Sequence, residues 1–353
     1  MSCAVAVLDP VETLPETTRV LLVTQRGAFI HRHAERLVVS IRGEADVEYP
    51  LLHLEHVMIL VSGASLSAEI VRECCERGID LTFLTSWGEP YGRLVAPGLL
   101  GTVKTRRDQL LAYGDHRGRE LGAEMLRGKL LNQANLLKYM AKYRKDRSRE
   151  VYDAVRDASY EIAQIAEWLE EAPGATIDEA RQPLMVREAE AGRRYWAALR
   201  LLLRSDVDWE AREHRGATDL VNSLLNYGYG ILQSQVQQAI MLAGLDPFAG
   251  FVHADRPGKP SMVLDLMEEF RSTVVDRAVI SAINLGLGFE VEDGRLTADA
   301  RKALAGRILE RLHTAETFQG KRFQLSTIVQ MQARAVAAFV RGDQPYRAFV
   351  ARW

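Results

Sequence analysis

The spacing of hydrophobic residues changes partway along the chain. Before residue 101 they occur in short runs bounded by glycines, which is typical of β-strands. The predicted strands cover residues 19–23, 36–41, 56–61 and 79–84. The segment 24–35, which contains Gly27, is predicted to turn a hairpin between the first two strands. Residues 67–77 carry apolar side chains at helical spacing, and Gly78 marks the expected end of that helix.

After residue 101, apolar residues recur at intervals of three and four, which indicates amphipathic helices. The predicted helices cover residues 106–113, 119–144, 149–171, 177–203, 218–243, 262–285, 298–313 and 327–341. Asp293 and Gly294 are expected to turn a small hairpin within residues 288–296. The predicted fold class is therefore α+β: a small N-terminal β-rich domain over residues 1–100, followed by a larger helical domain over residues 101–353.

Positive charge is concentrated in one part of the sequence. The whole chain of 353 residues has a net charge of −2, but residues 104–149 hold thirteen Lys or Arg and five Asp or Glu, a local charge of +8. This segment is either a solvated helical face or a surface that binds phosphate groups. Charge alone does not decide between the two interpretations.

The cysteines and the N-terminus bear on the cellular compartment. Cys3, Cys74 and Cys75 are too few for a four-cysteine zinc or iron–sulfur site, and they indicate reduced thiols. The first residues lack the basic start and long apolar core of a secretory signal. No run reaches the roughly 18 apolar residues of a membrane helix. The expected location is the cytoplasm.

One segment combines a histidine with helical acids. His253 lies in a loop rich in Gly and Pro, and the helix after it is expected to begin with Ser261 as its N-cap. Asp265, Glu268 and Glu269 are three or four positions apart on that helix and lie close together. Carboxylates with one imidazole suit magnesium or manganese. Acids in the first turns of a helix are also favoured by its dipole, so this spacing alone leaves the metal site open.

A second candidate is Glu188, which shares a helical face with Gly192 and Tyr195. Its carboxylate is expected to point into a packed interface, where an unpaired charge is costly. A metal ion would relieve that cost, and so would an ion pair with Arg193 or Arg194. The spacing alone favours the ion pair.

A third segment has arginines ahead of a helix that contains polar residues. Arg212 and Arg215 precede the helix, where they suit phosphate contacts and simple exposure equally well. Asn222 and Tyr229 lie inside the otherwise apolar helix, and we expect them to make hydrogen bonds between packed helices.

Four motifs in this order resemble the CRISPR-associated endonuclease/integrase family, the conserved catalytic subunit of CRISPR spacer acquisition. They are ERGIDLTFLTSWGEPYGRL in the β-rich part, a K-x-x-N-Q helix start at Lys129, the helix segment that carries Arg215 and Asn222, and GLDPFAGFVHADRPGKPSMVLDLMEEFR. The last of these fits the family pattern almost without gaps.

The resemblance implies a set of site residues. Glu188, His253 and Glu268 correspond to the family's metal ligands, and Asp265 to a nearby acid that supports the site. All four are therefore the expected catalytic residues. The glycine that usually follows the first glutamate is absent here, which leaves Glu190 as a rival for that ligand position.

The resemblance also implies a function. The expected activity is that of a DNA endonuclease and integrase, dependent on Mg²⁺ or Mn²⁺, which inserts foreign DNA fragments into a CRISPR repeat array by transesterification. Expected partners are double-stranded DNA, a second copy of the chain bound through the β-rich domain, and a small second adaptation subunit. The residues expected to contact DNA are Lys129, Arg144, Lys145, Arg147, Arg212 and Arg215. The alternatives are a metal-dependent nuclease of DNA repair or recombination and a non-catalytic helical DNA-binding scaffold.

Overall fold

The computed structural model describes residues 4–7, 18–96, 103–204, 206–213 and 216–353. Its first part is built from strands and one helix. The strands are β1 (Ala4–Val7), β2 (Thr18–Val23), β3 (Phe29–His33), β4 (Arg36–Ser40), β5 (Val47–Pro50), β6 (His56–Ile59), β7 (Ser65–Leu66), β8 (Asp80–Leu84) and β9 (Pro90–Leu94). The helix α1 (Ala68–Arg77) begins after Ser67, whose side chain accepts a hydrogen bond from the backbone N–H of Ile70, and ends at Gly78 in the left-handed conformation.

The strands form two sheets that share a core. The larger sheet has the order β1-β2-β6-β8-β9 and is parallel except for β9, and the smaller has the order β5-β4-β3-β7. Ile30, Leu37, Val57, Ile70 and Leu81 are buried in a common cluster with α1. Burial of these side chains on both sheets and on the helix holds this part together.

The rest of the chain is mainly helical, and this part together with the strand-rich part confirms the α+β class. The helices are α2 (Val103–Ala112), α3 (His116–Ala141), α4 (Arg149–Trp168), α5 (Ile177–Leu202), α6 (Leu220–Leu242), α7 (Ser261–Met267), a π-helix (Arg271–Asp276), α8 (Arg277–Asn284), α9 (Ala298–His313) and α10 (Leu325–Val340). Two hairpins interrupt them, β10 (Val291–Glu292) with β11 (Arg295–Leu296), and β12 (Ala315–Phe318) with β13 (Lys321–Gln324). Across the described ranges, no helix is both long and apolar enough to cross a membrane.

Several sequence predictions were wrong in detail. β2 does not pair with β4: it lies parallel to β6, and the hairpin is formed by β3 and β4, which turns at Ala34. The strand β3 escaped prediction because its sequence, FIHRH, is mostly polar. The predicted helix 262–285 is interrupted once, at residues 268–270, and continues as a π-helix that runs directly into α8; Ser261 is the first residue of α7 instead of its N-cap.

The strand-rich part packs directly on α6. The turn between β8 and β9 meets this helix at Gly230, where an added Cβ would lie 1.6 Å from the carbonyl oxygen of Gly88. Close by, Gln235 of α6 donates a hydrogen bond of 2.6 Å to Nδ1 of His56. The opposite ring nitrogen of His56 therefore donates to the Thr82 hydroxyl, at 2.9 Å. These contacts hold β9 beside the helical part.

We expect stability to depend on pH through His56. Burial lowers the pKa of this imidazole to about 4, although Asp80 opposes the shift and Arg93 adds to it. The unfolded chain takes up a proton near pH 6.5, whereas the folded chain does so only near pH 4. The contribution of His56 is therefore complete above pH 6.5 and is lost as the pH falls toward 4, by about 3 kcal/mol at most.

Urea unfolding measured between pH 4 and pH 7.5 checks this expectation. His56→Gln should be less stable than the wild type at pH 7.5 and should lose less stability on acidification. His33→Gln, at an exposed position of β3, should follow the wild-type slope. Equal slopes for the wild type and His56→Gln would contradict the assignment.

Candidate active site

A cavity of about 1250 Å³ lies where β9, α3, α5, α6 and the segment from His253 to Asp276 meet. Three elements that are distant in sequence supply its charged centre. Lys129 comes from α3, Glu188 from α5, and Glu268 from the residues that follow α7. The fold therefore gathers one ammonium and two carboxylates at the wall of a single cavity.

Lys129 bridges the two carboxylates. Its Nζ lies 2.6 Å from Oε1 of Glu188 and 2.8 Å from Oε2 of Glu268. The three side chains are 14%, 18% and 6% exposed, so this contact is largely shielded from water. Attraction between opposite charges is stronger there than at an open surface. The two carboxylates thus hold a positively charged group, the ammonium of Lys129, between them.

Asp265 organises the loop that carries His253. Its carboxylate accepts hydrogen bonds from the backbone N–H groups of Phe251, Val252 and His253, at 2.6, 3.0 and 3.0 Å. It also contacts the Nδ1 of His253 at 2.6 Å. The loop approaches this closely because Gly250 has no side chain: a Cβ there would lie 2.6 Å from the Ser261 backbone carbon.

This arrangement fixes the orientation of the imidazole. Because the ionised carboxylate of Asp265 only accepts hydrogen bonds, Nδ1 of His253 carries the proton. The Nε2 atom then presents a lone pair toward Glu268, whose Oε1 is 3.9 Å away. A carboxylate behind a histidine is the usual support for a metal-binding imidazole.

Glu268 is a buried carboxylate in a cationic environment. Burial alone would raise its pKa, but Arg271, Lys129 and His253 outweigh burial and lower the pKa to about 2. The Arg271 Nε lies 3.1 Å from Oε1 of Glu268. The carboxylate is therefore ionised at neutral pH and available to a cation.

A network of arginine and tyrosine side chains extends the site beyond Glu268. The guanidinium groups of Arg271 and Arg212 lie over the ring of Tyr229, at 4.6 and 5.4 Å from its centroid. The hydroxyl groups of Tyr229 and Tyr195 both donate to the buried carboxylate of Asp276. Burial raises the pKa of Asp276 to about 6, although these hydrogen bonds and both arginines oppose the shift.

The sequence interpretation missed Arg271 and Asp276. Arg271 was visible as a basic residue three positions after Glu268, a spacing that places both side chains on one helical face. For Asp276 no comparable signal existed, because its tyrosine partners come from two other helices.

The sequence left two questions open at Glu188: whether Glu190 takes its place at the site, and whether Glu188 pairs with Arg193 or Arg194. Glu190, the rival ligand, forms ion pairs with Arg187 and Arg194, at 2.9 and 3.2 Å. Glu188 pairs with Lys129, whereas Arg194 pairs with Glu161 and Glu190. The cavity wall therefore includes Glu188, while Glu190 belongs to the ion pairs along α5.

The predicted DNA-contacting residues do not form one surface. The guanidinium of Arg144 donates to the carbonyl oxygens of Leu202 and Leu203 at the end of α5, whereas Lys145 and Arg147 are exposed. Arg215 lies outside the described residues. Lys129 lies in the cavity wall, between Glu188 and Glu268, so its predicted contact with DNA would be made inside the cavity.

Arg212 is also held within the protein. It donates hydrogen bonds of 3.0 and 2.6 Å to the side-chain oxygens of Asn222 and Asn226, while it lines the cavity. Tyr229 donates to Asp276 of the π-helix, as the sequence predicted, whereas Asn222 donates to Ala211 in the preceding loop and to the N-cap Asp219 of its own helix instead of to another helix.

The chemistry of the side chains suits a divalent cation, but the ammonium of Lys129 lies between the two carboxylates. Among the described residues, no three His, Cys, Asp or Glu side chains are close enough together to form a ready metal cluster. The reason is visible at Lys129, whose ammonium lies between the two carboxylates. The donors are two carboxylates and one oriented imidazole, which is the set that magnesium or manganese accepts.

Comparisons with known proteins show the family of the chain and agree with the fold. The family CRISPR associated protein Cas1 matches residues 21–309. A CRISPR-associated endonuclease Cas1 of Archaeoglobus fulgidus is 36% identical over 94% of this chain and 99% of its own length. Another, from Korarchaeum cryptofilum, is 31% identical over 93% of this chain and 97% of its own.

Solved structures show the same fold at lower identity. A casposase bound to an integration product has a TM-score of 0.79 at 21% identity, with 94% of this chain and 93% of the casposase covered. A Cas1 protein from Thermotoga maritima has a TM-score of 0.75 at 17% identity, with 94% and 100% covered. The molecule is thus an α+β protein with an acid–imidazole cavity. It belongs to the CRISPR-associated Cas1 family.

Proposed function

We propose that this protein is a metal-dependent DNA endonuclease and integrase that inserts foreign DNA fragments into a CRISPR repeat array. The observation that carries the proposal is that the ammonium of Lys129 lies between the carboxylates of Glu188 and Glu268, with Nε2 of His253 3.9 Å from Glu268. The curated relatives of the same family are named endonucleases, which supports the same chemistry.

The proposed reaction is a phosphodiester transesterification. Glu188, Glu268 and the Nε2 atom of His253 would hold Mg²⁺ or Mn²⁺, which polarises a phosphoryl oxygen and stabilises the leaving oxygen when bound. Asp265 keeps His253 in the tautomer that can bind. Arg271, at the cavity wall beside Glu268, is placed to neutralise charge on the phosphate.

A DNA strand would reach this point through the mouth of the cavity. Arg256 and Lys259 line the cavity and supply positive charge for phosphate groups, whereas Arg93, which also lines it, is paired with Asp80 at 2.6 Å. Tyr91 and Phe248 also line it and are 64% and 52% exposed, which leaves their rings free to stack on bases.

The proposed function implies a role for each part of the chain and two protein partners. We propose that residues 1–100 form the dimerisation domain, that residues 101–353 form the catalytic domain, and that a small second adaptation subunit joins the dimer in the cytoplasm. One neighbour in fold, with a TM-score of 0.72 at 19% identity, is described as a Cas6-RT-Cas1–Cas2 complex; 97% of this chain and 37% of that chain are covered.

A strand-joining assay tests the function. Purified protein is incubated with short duplexes bearing free 3′-hydroxyls and a plasmid that carries a repeat array, with Mn²⁺ or with EDTA. We expect joined products only with the metal and only at the repeat. Cleavage without joining would favour the repair or recombination nuclease. DNA binding without either reaction would favour the non-catalytic scaffold.

Charge reversal at Lys145 and Arg147 is expected to weaken duplex binding and flatten its salt dependence. Both side chains are exposed within the +8 segment, so each can release a counterion from DNA. The double variant should lower the slope of log affinity against log salt by about 2. A double reversal at Lys321 and Arg322, exposed on the β12–β13 hairpin, is the matched control. An equal change of the salt slope in both double variants would show that the effect comes from the net charge of the protein and not from the +8 segment.

A further inference from the structure

Glu268 lies in a break between two helical segments. The helix α7 ends at Met267 and the π-helix begins at Arg271, so the intervening residues 268–270 are in a turn. At this break, Glu268 faces the cavity, while Glu269 is completely buried on the other side. The candidate ligand therefore lies in a backbone turn whose hydrogen bonds span three residues instead of four, from the N–H of Glu268 to the carbonyl of Asp265 at 3.3 Å and from the N–H of Phe270 to the carbonyl of Met267 at 2.9 Å.

The C-terminal segment holds the buried side of the break. The carboxylate of Glu269 accepts hydrogen bonds from the Tyr346 hydroxyl, from Nε2 of Gln332 at 2.9 Å and from the backbone N–H of Phe349 at 2.9 Å. Gln332 also donates to the carbonyl oxygen of Arg347, at 3.0 Å. Residues 346–349, which follow α10, are thus attached to the turn next to Glu268.

Asn132 connects the same break to α3. Its side-chain nitrogen donates to the carbonyl oxygens of Glu269 and Phe349, both at 2.8 Å, and its oxygen accepts from the N–H of Ala351 at 2.8 Å. Asn132 is completely buried and lies one helical turn after Lys129.

Close packing at Gly128 supports the same arrangement. A Cβ added there would lie 2.5 Å from Cβ of Ala348 and 3.3 Å from Cγ of Glu269. Gly128 is the neighbour of Lys129 on α3, and Glu269 is the neighbour of Glu268. Three segments therefore pack tightly behind the contact between the ammonium and the carboxylates.

We propose that Glu269 is a positioning residue: together with Asn132 and the segment 346–351, it fixes the helix break so that Glu268 is presented to the cation. This inference rests on the metal site proposed above. Without the Glu269 carboxylate, three buried donors would lose their acceptor: the N–H of Phe349, the amide of Gln332 and the hydroxyl of Tyr346. A buried donor without a hydrogen bond lowers the stability of the folded state. The break would then relax, and Glu268 would lose its fixed orientation.

The test measures Mn²⁺ affinity by titration calorimetry in full-length variants. Glu269→Ala should weaken Mn²⁺ binding by about 10-fold or more, as the loss of supporting residues behind a metal ligand does elsewhere. Glu269→Gln should stay near wild type, because the amide oxygen accepts two of the three hydrogen bonds and the amide nitrogen donates to Tyr346. Tyr346→Phe, which removes only a hydroxyl, should give a smaller loss and serves if Glu269→Ala fails to fold.

Trp353→Phe is the control variant, and amide hydrogen exchange is the measurement made without metal. Trp353→Phe removes the hydrogen bond from the indole to Glu316 at the far end of the same segment, and should bind Mn²⁺ like wild type. In metal-free protein, amide hydrogen exchange in residues 262–275 should be faster in Glu269→Ala but not in Trp353→Phe.

These measurements separate the inference from the proposed function. If wild type binds no Mn²⁺, the proposed function fails, and hydrogen exchange alone decides whether Glu269 fixes the break. Wild-type affinity in Glu269→Ala, or in Tyr346→Phe if the former is unfolded, would overturn the inference. So would a Glu269→Gln variant as weak as Glu269→Ala, since that result would show that the hydrogen bonds kept by the amide are not what positions Glu268.

Discussion

Glu188→Gln and Glu268→Gln are each expected to abolish DNA cleavage and strand joining, whereas Glu190→Gln should keep both within about twofold of wild type. The first two carboxylates share a shielded point of the cavity with Lys129, and an amide there cannot replace the charge that binds a divalent ion. Glu190 lies only two residues from Glu188 and forms ion pairs with neighbouring arginines. It is therefore a closely matched control.

DNA affinity in EDTA separates chemistry from binding. It should be almost unchanged in these variants, because duplex binding is expected to depend on exposed basic residues. An active Glu188→Gln with an inactive Glu190→Gln would show that the first ligand is assigned two residues too early.

Lys129→Met should destabilise the metal-free protein by about 3 kcal/mol and make its stability dependent on Mn²⁺. Without the ammonium, the carboxylates of Glu188 and Glu268 repel each other in a shielded place, and a divalent ion relieves that repulsion. Urea unfolding in EDTA and in Mn²⁺ measures both effects. Lys138→Met, at an exposed position of the same helix, should behave like wild type in both buffers.

The outcome of Lys129→Met also tests the role of Lys129. A loss of stability that Mn²⁺ does not restore would mean that Lys129 is a structural residue and that no ion takes its place. A variant with unchanged stability in EDTA would contradict the close ammonium–carboxylate contacts.

The sequence predicted the outline of the fold because the two spacings of apolar residues differ clearly. The helix α9 was predicted with the bounds that the structure has, and the β10–β11 hairpin was predicted from Asp293 and Gly294. Pairing between strands was harder, because the sequence of β2 carries no information on its parallel partner β6. Apolar spacing also continues across residues 268–270, so the break between α7 and the π-helix was invisible.

The candidate site was predictable where a motif existed. Glu188, His253, Asp265 and Glu268 came from spacing together with the family resemblance, and their roles stay proposals. The place of Lys129 was not predictable, since a lysine in a basic segment indicates phosphate binding, and only the fold brings α3 against α5 and the helix break.

A crystal structure with Mn²⁺, measured at the manganese absorption edge, tests the central claim most directly. We expect one anomalous peak about 2.0–2.3 Å from a carboxylate oxygen of Glu188, a carboxylate oxygen of Glu268 and Nε2 of His253, with the ammonium of Lys129 displaced. A peak bound by Glu190, or a fully occupied Mn²⁺ elsewhere with Lys129 still between the two carboxylates, would contradict the account.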